Sequence, residues 1–378
     1  MPKRREVLLS IVSVALAVVA FAGLSELALR LLPVSSGLRT MAVTAESPVF
    51  RLTPNRDYVY SRDWDLVMVN RGRVNNAGFV NDRNYEKSAA PPVLAVIGDS
   101  YIEALMVPFA DTLQGRLAKA LEGKARVYSF AASGAPLSQY LIWAQYAVRE
   151  FGAKALVINV VGNDFDESHA AYRIASGFWI YAPGPDGALK LTLIEYRPSL
   201  MRQMVSYSAL ARYLVFNVRA GQVALDLEGK WRRLVAPTPA PSPPPAPGAP
   251  TYAGNTAAEA DAARISDSLR VIDAFLIDLE KMTGLPPDRI AFTVDGFRYA
   301  EVAAQGATTY FGRMRNEFKA RAAAKGYEVI DLDPMFQADY ALNRRRFEFP
   351  RDGHWNATAH GVAAEAVLRS KTVSQFAR

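Results

Sequence analysis

The sequence predicts an α/β fold with one doubly wound sheet of five parallel strands. Two observations lead to this prediction. Short apolar runs alternate along the chain with amphipathic helical patterns, as expected of strands that are buried on both faces. Glycine and polar residues follow several of these runs, and reactive groups of such sheets gather at the carboxyl ends of the strands.

The predicted strands and helices follow one another from about residue 92. Strands are expected at 93–97, 125–130, 155–161, 290–294 and 328–332. Helices are expected between and after them at 111–121, 138–151, 257–282, 304–325 and 357–370, with a further helical part around 206–234. This alternation favours a parallel sheet that is covered by helices on both faces.

The N-terminus carries a candidate membrane anchor. Three basic residues at 3–5 precede a mostly apolar, uncharged run at 7–24, which further leucines extend to residue 33. This length can cross a bilayer as a helix. Because a basic start stays in the cytoplasm, the sequence predicts a single-pass inner-membrane protein with its main domain in the periplasm or outside the cell. The alternative is a cleaved signal peptide, since the small residues at 20–22 resemble a cleavage site.

Composition divides the chain into three parts. Residues 1–33 are the anchor or signal segment, and the turn-rich residues 34–90 are predicted to be a tether and an N-terminal extension. The main domain is expected at 91–378, with an insertion at about 165–255. Within the insertion, residues 236–250 are rich in proline and alanine and are predicted to be an extended loop.

Composition also excludes several kinds of site and partner. The 378 residues carry a formal charge of +7, but the basic residues are scattered, so nucleic acid is not an expected partner. The absence of cysteine excludes disulfides, zinc–thiolate sites and cysteine nucleophiles. The acidic run at 164–167 lacks the spacing of a calcium loop, and the sequence has no glycine-rich phosphate loop. We therefore expect no metal and no cofactor.

Ser100 is the candidate nucleophile. It follows the first predicted strand and comes directly after Gly98-Asp99. A serine needs a base within hydrogen-bond reach, and one of the three histidines, His354, comes two residues after Asp352. Both are expected in a loop after the last strand, where a serine, a histidine and a carboxylate can form a catalytic triad.

Other interpretations of these residues stay open. Ser100 can instead cap the following helix, and Asp331 or Asp333 can take the place of the carboxylate beside the histidine. Of the other two histidines, His360 is expected to be a packing or capping residue of the last helix. His169 lies in the insertion, where a histidine could touch substrate.

Four segments resemble the sequence blocks of the SGNH/GDSL hydrolases. They are Gly98-Asp99-Ser100 for the first block, Gly134 for the glycine of the second, Gly162-Asn163-Asp164 for the third and Asp352-Gly353-His354-Trp355-Asn356 for the fifth. The segments occur in the order of the family, and the resemblance covers about residues 92–370. It implies the SGNH hydrolase fold, with a flavodoxin-like parallel sheet.

The resemblance implies a role for each of these residues. Ser100 is the nucleophile, His354 is the base, and Asp352 is the carboxylate that orients it. The oxyanion hole is implied to consist of the backbone N–H groups of Ser100 and Gly134 and the side-chain amide of Asn163. Such donors stabilise the negative charge that an acyl-transfer intermediate develops on oxygen.

One feature departs from the family pattern. Many members place the acid three positions before the histidine, whereas here the acid is two positions before it. The Asp-x-His-Trp form is similar to that of the membrane-anchored branch that includes the alginate O-acetyltransferase-like proteins. This similarity strengthens the hypothesis of acyl transfer relative to that of hydrolysis.

The sequence thus predicts acyl-ester chemistry on an envelope or extracellular carbohydrate. If water accepts the acyl group the protein is an esterase, and if a sugar hydroxyl accepts it the protein is an O-acyltransferase. Tyr172, Trp179 and Tyr181 follow the third block closely and are expected to form a substrate wall. The alternative is a noncatalytic, membrane-anchored SGNH-fold scaffold of an envelope assembly, and a lysophospholipase or thioesterase is a third hypothesis.

Overall fold

The computed structural model describes residues 2–88, 90–220, 254, 256 and 258–377. The predicted proline-rich loop at 236–250 lies outside the described residues, as do residues 221–234 of the predicted helical part. The chain divides into two compact units. The smaller unit comprises Met1–Arg39, Asp57–Arg71 and Pro198–Pro243, and the larger unit comprises Thr40–Arg56, Gly72–Arg197 and Pro244–Arg378.

The described strands and helices are numbered in chain order. The strands are β1 (Arg56–Arg62), β2 (Val67–Val74), β3 (Val93–Gly98), β4 (Arg126–Ala131), β5 (Ala153–Val160), β6 (Trp179–Pro183), β7 (Leu189–Leu193), β8 (Ile290–Val294), β9 (Glu328–Asp331), β10 (Glu348–Phe349) and β11 (Asp352–Trp355). The α-helices are α1 (Pro2–Arg30), α2 (Ser100–Glu103), α3 (Leu113–Ala120), α4 (Leu137–Phe151), α5 (Leu200–Tyr207), α6 (Ala209–Arg212), α7 (Ala262–Thr283), α8 (Ala300–Gly306), α9 (Tyr310–Ala324), α10 (Asp333–Asn343), α11 (Ala357–Leu368) and α12 (Lys371–Ala377).

The larger unit is built on a five-stranded parallel sheet with the order β4-β3-β5-β8-β9. Every residue of β3 and β8 is buried, which explains why these runs are apolar throughout instead of alternating with polar residues. The five strands are the predicted ones, and their ends agree within two residues. The prediction of a doubly wound, flavodoxin-like parallel sheet is therefore confirmed.

The strand order contains one reversal. From β3 the chain first adds β4 on one side and then returns to add β5 on the other side of β3. In α/β sheets, ligands bind outside the carboxyl ends of the strands at such a reversal. Ser100 follows β3 and Asn163 follows β5, so both residues lie at this position.

Several helices differ from their predicted bounds. The helix predicted from residue 257 begins only at Ala262, because the side chain of Asp261 caps it. The helix predicted at 304–325 is divided into α8 and α9, because Thr309 caps α9 by accepting a hydrogen bond from its first turn. A local capping group therefore decides each boundary.

Two further helical regions differ from the prediction. α10 follows β9 and was not predicted, although Pro334 in its first turn is typical of a helix start. The described part of the helical region predicted around 206–234 begins earlier, at Leu200. It is interrupted after Tyr207, because Ser208 caps the next helix, α6.

Residues 72–88 cover the outer edge of β4 within the larger unit. The ring of Tyr85 stacks on that of Tyr128, with 4.0 Å between the ring centroids. The Tyr85 hydroxyl accepts a hydrogen bond from the Ser129 backbone N–H at 2.7 Å and donates one to the Ser129 carbonyl at 2.6 Å. A side chain thus takes the place of a neighbouring strand at an edge that would otherwise expose backbone groups.

We expect Tyr85→Phe to lower the free energy of unfolding by about 1–3 kcal/mol, because the ring remains but the buried Ser129 N–H loses its acceptor. Urea denaturation measures this change. Tyr207→Phe is the control, since this ring is exposed, and it should change the free energy by less than about 0.5 kcal/mol. Equal stability of Tyr85→Phe and the wild type would contradict a stabilising role of this hydroxyl.

Candidate active site

Ser100 is the first residue of the short helix α2, directly after β3. Asp99 caps this helix, since its Oδ1 accepts a hydrogen bond from Tyr101 N at 2.9 Å. The capping role that the sequence left open for Ser100 therefore belongs to its neighbour. A β-carbon at Gly98 would lie 2.5 Å from Ile102 Cγ1, so the glycine allows α2 to fold back tightly onto the strand.

His354 and Asp352 lie on β11 of the short β10–β11 hairpin. The prediction of an irregular loop is wrong here, because β11 pairs with β10 in antiparallel fashion. His354 Nε2 lies 2.7 Å from Ser100 Oγ. His354 Nδ1 forms a hydrogen bond with Asp352 Oδ1, and the same oxygen accepts the backbone N–H of His354 at 3.0 Å. The three side chains form one hydrogen-bonded chain.

The alternative carboxylates have other partners. Asp331 accepts hydrogen bonds from Arg315 and from Lys319 Nζ, the latter at 2.7 Å. Asp333 accepts one from the backbone N–H of Arg298 at 2.8 Å. Asp352 is therefore the one of these three carboxylates that forms a hydrogen bond with the imidazole of His354.

This arrangement can move a proton away from Ser100. With the Nδ1 proton held by Asp352, His354 Nε2 is an acceptor for the Ser100 hydroxyl. Asp352 is buried, whereas 22% of the His354 side chain is exposed, so the imidazole can be reached from solvent. Asp99 Oδ2 is a second acceptor for the same hydroxyl, but at 3.2 Å it is farther away.

The predicted oxyanion-hole residues follow three adjacent strands of the sheet. Ser100 comes after β3, Gly134 after β4 and Asn163 after β5. Gly134 has φ +75°, a conformation that favours glycine, and a β-carbon there would lie 2.8 Å from Arg173 Nη2. The backbone conformation therefore favours glycine at this position, whereas the end of the flexible Arg173 side chain can move aside.

A charged network borders these residues. Asn163 Nδ2 donates a hydrogen bond to Glu167 Oε2 at 3.0 Å, and Glu167 also pairs with Arg173. The guanidinium of Arg173 is the group that lies against Gly134. Glu167 and Arg173 of the insertion thus form a charged network beside the amide of Asn163. The sequence analysis did not predict this network.

Glu103 fixes the turn that precedes Gly134. Its side chain is buried, and its Oε2 accepts hydrogen bonds from the backbone N–H of Ser133, at 2.8 Å, and from the Ser133 hydroxyl. Burial raises the pKa of Glu103 to about 7. Burial likewise raises the pKa of Asp99 to about 6.

The three aromatic residues of the predicted substrate wall each donate a side-chain hydrogen bond to another residue of the protein. Tyr181 is fully buried and donates a hydrogen bond to Asp278 Oδ2 at 2.8 Å, so it cannot line an open surface, and this part of the prediction is wrong. Trp179 Nε1 donates to the carbonyl of Pro48 at 2.9 Å. Tyr172 is half-buried and donates to Asp267 Oδ2 at 2.8 Å.

The two remaining histidines are buried acceptors of backbone hydrogen bonds. His360 Nδ1 accepts from Leu113 N at 3.1 Å, and burial lowers its pKa to about 3, so it stays neutral. This burial agrees with a packing role for His360, and its hydrogen-bond partner, Leu113, is the first residue of α3. His169 Nδ1 accepts from Ala171 N at 3.2 Å, and its burial leaves no exposed ring to touch substrate.

The sequence analysis missed the residue that joins the two halves of the site, Arg298. Its side chain is fully buried and forms an ion pair with Asp295 at 2.8 Å. It donates to the carbonyl of Gly353 at 2.8 Å and to the hydroxyl of Tyr101 at 3.1 Å. The only signal in the sequence was that Asp295 directly follows a predicted strand.

The contacts of Arg298 connect two distant segments. Tyr101 follows Ser100 on α2, while Gly353 lies between Asp352 and His354 on β11. The guanidinium therefore ties the serine to the hairpin that carries the imidazole. Trp355 adds a further connection, because its Nε1 donates to Asp295 Oδ1 at 3.1 Å.

We expect Arg298→Leu to lower the free energy of unfolding by about 3–5 kcal/mol, because it removes the positive charge that balances the buried carboxylate of Asp295. Urea denaturation again provides the measurement. The matched control is Arg369→Leu, which removes an exposed ion pair with Glu365 and should cost about 1 kcal/mol or less. Similar losses for both variants would show that Arg298 is not a structural link.

Glu103 also predicts a pH dependence of stability. Its pKa is raised from 4.5 to about 7 in the folded state, so the folded protein binds more protons than the unfolded chain between these values. The free energy of unfolding should therefore fall as the pH rises from 4.5 to 7, by about 3 kcal/mol for this group alone. We expect Glu103→Gln to remove this part of the slope in urea titrations at several pH values.

The control for this titration is Glu365→Gln, which changes an exposed acid and should leave the slope of the wild type unaltered. If Glu103→Gln had the same pH dependence as the wild type, the raised pKa of Glu103 would be contradicted.

Comparisons with known proteins yield structural similarities. Neither a protein-family model nor a curated protein matches the chain. The chain is similar to the structure of a lipase from a goat rumen metagenome, with 12% identity, a TM-score of 0.37, and coverage of 76% of this chain and 100% of the other. It is also similar to a member of the lipolytic G-D-S-L family from Veillonella parvula (10% identity, TM-score 0.32, coverage 74% and 97%).

A third similar structure is an acetyl xylan esterase, with 10% identity, a TM-score of 0.39, and coverage of 73% of this chain and 97% of the other. Similarities this distant assign no activity. None of the three concerns the alginate O-acetyltransferase-like branch. The three similar structures are thus described as a lipase, a lipolytic protein and an acetyl xylan esterase.

Proposed function

We propose that the protein is a serine-dependent acyl-ester hydrolase or O-acyltransferase. The observation that carries this proposal is the hydrogen-bonded chain from Ser100 through His354 to Asp352. Ser100 and His354 lie 254 positions apart in the sequence, yet their side chains are 2.7 Å apart at the carboxyl edge of the sheet. A noncatalytic scaffold has no need of this contact, so the catalytic hypothesis is preferred.

The first half-reaction follows from these contacts. Ser100 Oγ attacks the carbonyl carbon of the ester while His354 Nε2 takes its proton, and the buried Asp352 stabilises the imidazolium that forms. The tetrahedral intermediate then expels the alcohol, which receives the proton from His354. The product is an acyl group on Ser100. No further reagent is needed to balance this step.

The negatively charged oxygen of the tetrahedral intermediate needs hydrogen-bond donors. We assign this role to the backbone N–H groups of Ser100 and Gly134 and to the amide of Asn163. Their positions after three adjacent strands support this assignment, and so do the bonds by which Glu103 fixes the turn before Gly134. Loss of one such donor typically lowers kcat by roughly 10²–10³-fold.

In the second half-reaction, His354 takes a proton from the acceptor as it attacks the acyl group on Ser100. Water as acceptor gives hydrolysis, and a sugar hydroxyl gives O-acyl transfer. We propose an envelope or extracellular carbohydrate as the substrate class. Two observations support this choice. The Asp-x-His-Trp form of the fifth block is similar to that of the membrane-anchored branch, and the main domain is expected to lie outside the cytoplasm.

We also propose that α1 anchors the protein in the inner membrane with the larger unit on the periplasmic side. The segment Arg4–Arg30 is 27 residues long, its most apolar window has a mean hydropathy of 2.7, and the residues that the structure describes bury none of that window. A cleaved signal sequence has the same composition, so a shift in the mass of the mature protein would distinguish the two.

Ester hydrolysis tests the proposed nucleophile. We expect Ser100→Ala and His354→Ala to lower kcat for a chromogenic acetate ester by roughly 10³-fold or more, and Asp352→Asn by roughly 10³–10⁴-fold. The full-length protein is assayed in detergent, with unfolding measured beside activity. Ser88→Ala, an exposed serine, is the control and should keep the activity of the wild type. Undiminished turnover in Ser100→Ala would rule out the proposed mechanism.

Addition of acceptor sugars distinguishes the two acceptors. With an acetyl donor and an oligosaccharide present, a transferase yields acetylated sugar at the expense of free acetate, whereas a hydrolase yields free acetate alone. Mass spectrometry of the sugar gives the ratio of the two products.

A further inference from the structure

The smaller unit carries an exposed apolar helix face. On α5, the side chains of Leu200, Met201, Met204 and Tyr207 are each 67–77% exposed. At 3.6 residues per turn these four positions fall on one side of the helix, and Arg202 falls on the opposite side. A continuous apolar stripe of this kind indicates a surface that is covered by something.

Glu26 of α1 holds α5 and α6 in place within this unit. Its carboxylate accepts hydrogen bonds from the first turn of α6, namely from Ser208 Oγ at 2.8 Å, Ala209 N at 3.0 Å and Leu210 N at 2.8 Å. One turn farther along α1, Arg30 Nη2 donates to the carbonyl of Tyr207 at the end of α5. The junction between α5 and α6 is therefore fixed to the last turns of α1.

This attachment determines the height of α5 relative to a bilayer. The uncharged, mostly apolar run 7–24 of α1 ends at Leu24, and Glu26 is two residues beyond it. At a rise of 1.5 Å per residue, Glu26 lies about 3 Å past the apolar run. Since α1 is proposed to span the membrane, the end of α5 lies where that helix leaves the hydrocarbon.

Basic side chains surround the same junction. Arg39 Nη2 donates to Ser206 Oγ at 2.6 Å, and its guanidinium lies over the ring of Tyr207 at 5.3 Å. Arg30 is mostly exposed on α1, and Arg212 lies on α6. An apolar helix face beside arginine side chains is the combination that binds anionic lipid headgroups together with the outer part of the acyl chains.

We propose that α5 lies flat in the headgroup region of an anionic phospholipid bilayer, with Leu200, Met201 and Met204 directed into the lipid. This binding surface is separate from the proposed ester chemistry and depends on α1 as the anchor. The smaller unit is thereby held to the membrane at two places, through a spanning helix and through an interfacial helix.

Single cysteines test this proposal, because the chain contains no native cysteine. Met204→Cys places a label on the apolar face of α5, Arg202→Cys places one on the opposite face, and Val14→Cys places one in the middle of α1. Each full-length variant is labelled with an environment-sensitive fluorophore. The labelled proteins are then reconstituted in nanodiscs of phosphatidylglycerol and phosphatidylcholine, with and without spin-labelled lipid as quencher.

Without quencher, we expect a blue-shifted emission from the labels at positions 14 and 204. With spin-labelled lipid, we expect the fluorescence of these two labels to be quenched, with little quenching of the label at position 202. Replacing phosphatidylglycerol by phosphatidylcholine should reduce the quenching at 204 but not at 14, because only α5 depends on headgroup charge. Equal quenching at 202 and 204, or none at 204 while 14 is quenched, would overturn the proposal and indicate that water or a protein partner covers the face. No quenching at 14 would remove the anchor itself, and the proposal with it.

Discussion

The contact between Ser100 and His354 depends on one fully buried guanidinium, that of Arg298. It bonds to Tyr101 beside the serine and to Gly353 beside the histidine, and Asp295 balances its charge. Burying such a pair contributes little to stability compared with apolar packing, and its removal leaves an uncompensated charge. The network therefore serves mainly to fix geometry, since it sets the register of the short β10–β11 hairpin against the carboxyl edge of the sheet.

The same edge buries carboxyl groups that weaken the fold. Asp99, Glu103 and Asp164 are all buried, and their burial raises each pKa above its ordinary range. Each has hydrogen bonds that fix a loop; Asp164, for example, accepts from Tyr140 Oη and from Val161 N, both at 2.8 Å. Ordered loops around Ser100 are thus obtained at a cost in stability, which is a common relation between a rigid site and its scaffold.

The sequence predicted what depends on local pattern. The five strands were found because parallel strands that are buried on both faces read as apolar runs. Ser100, His354 and Asp352 were found through motif spacing, and the structure brings them together. Arg298 and Glu103 were missed, because their roles arise only from tertiary contacts. Tyr181 was placed wrongly, because closeness to Asn163 in the sequence does not tell which way a ring points, and here it packs inward towards Asp278.

Reaction with a fluorophosphonate probe tests the activation of Ser100 most directly, because only an activated serine reacts rapidly with such a probe. The full-length protein is incubated with the probe and digested, and mass spectrometry locates the modified residue. If His354 activates Ser100, a single adduct forms on Ser100 and is lost in His354→Ala. An adduct on a different serine, or no adduct on the folded wild-type protein, would contradict the proposed catalytic triad.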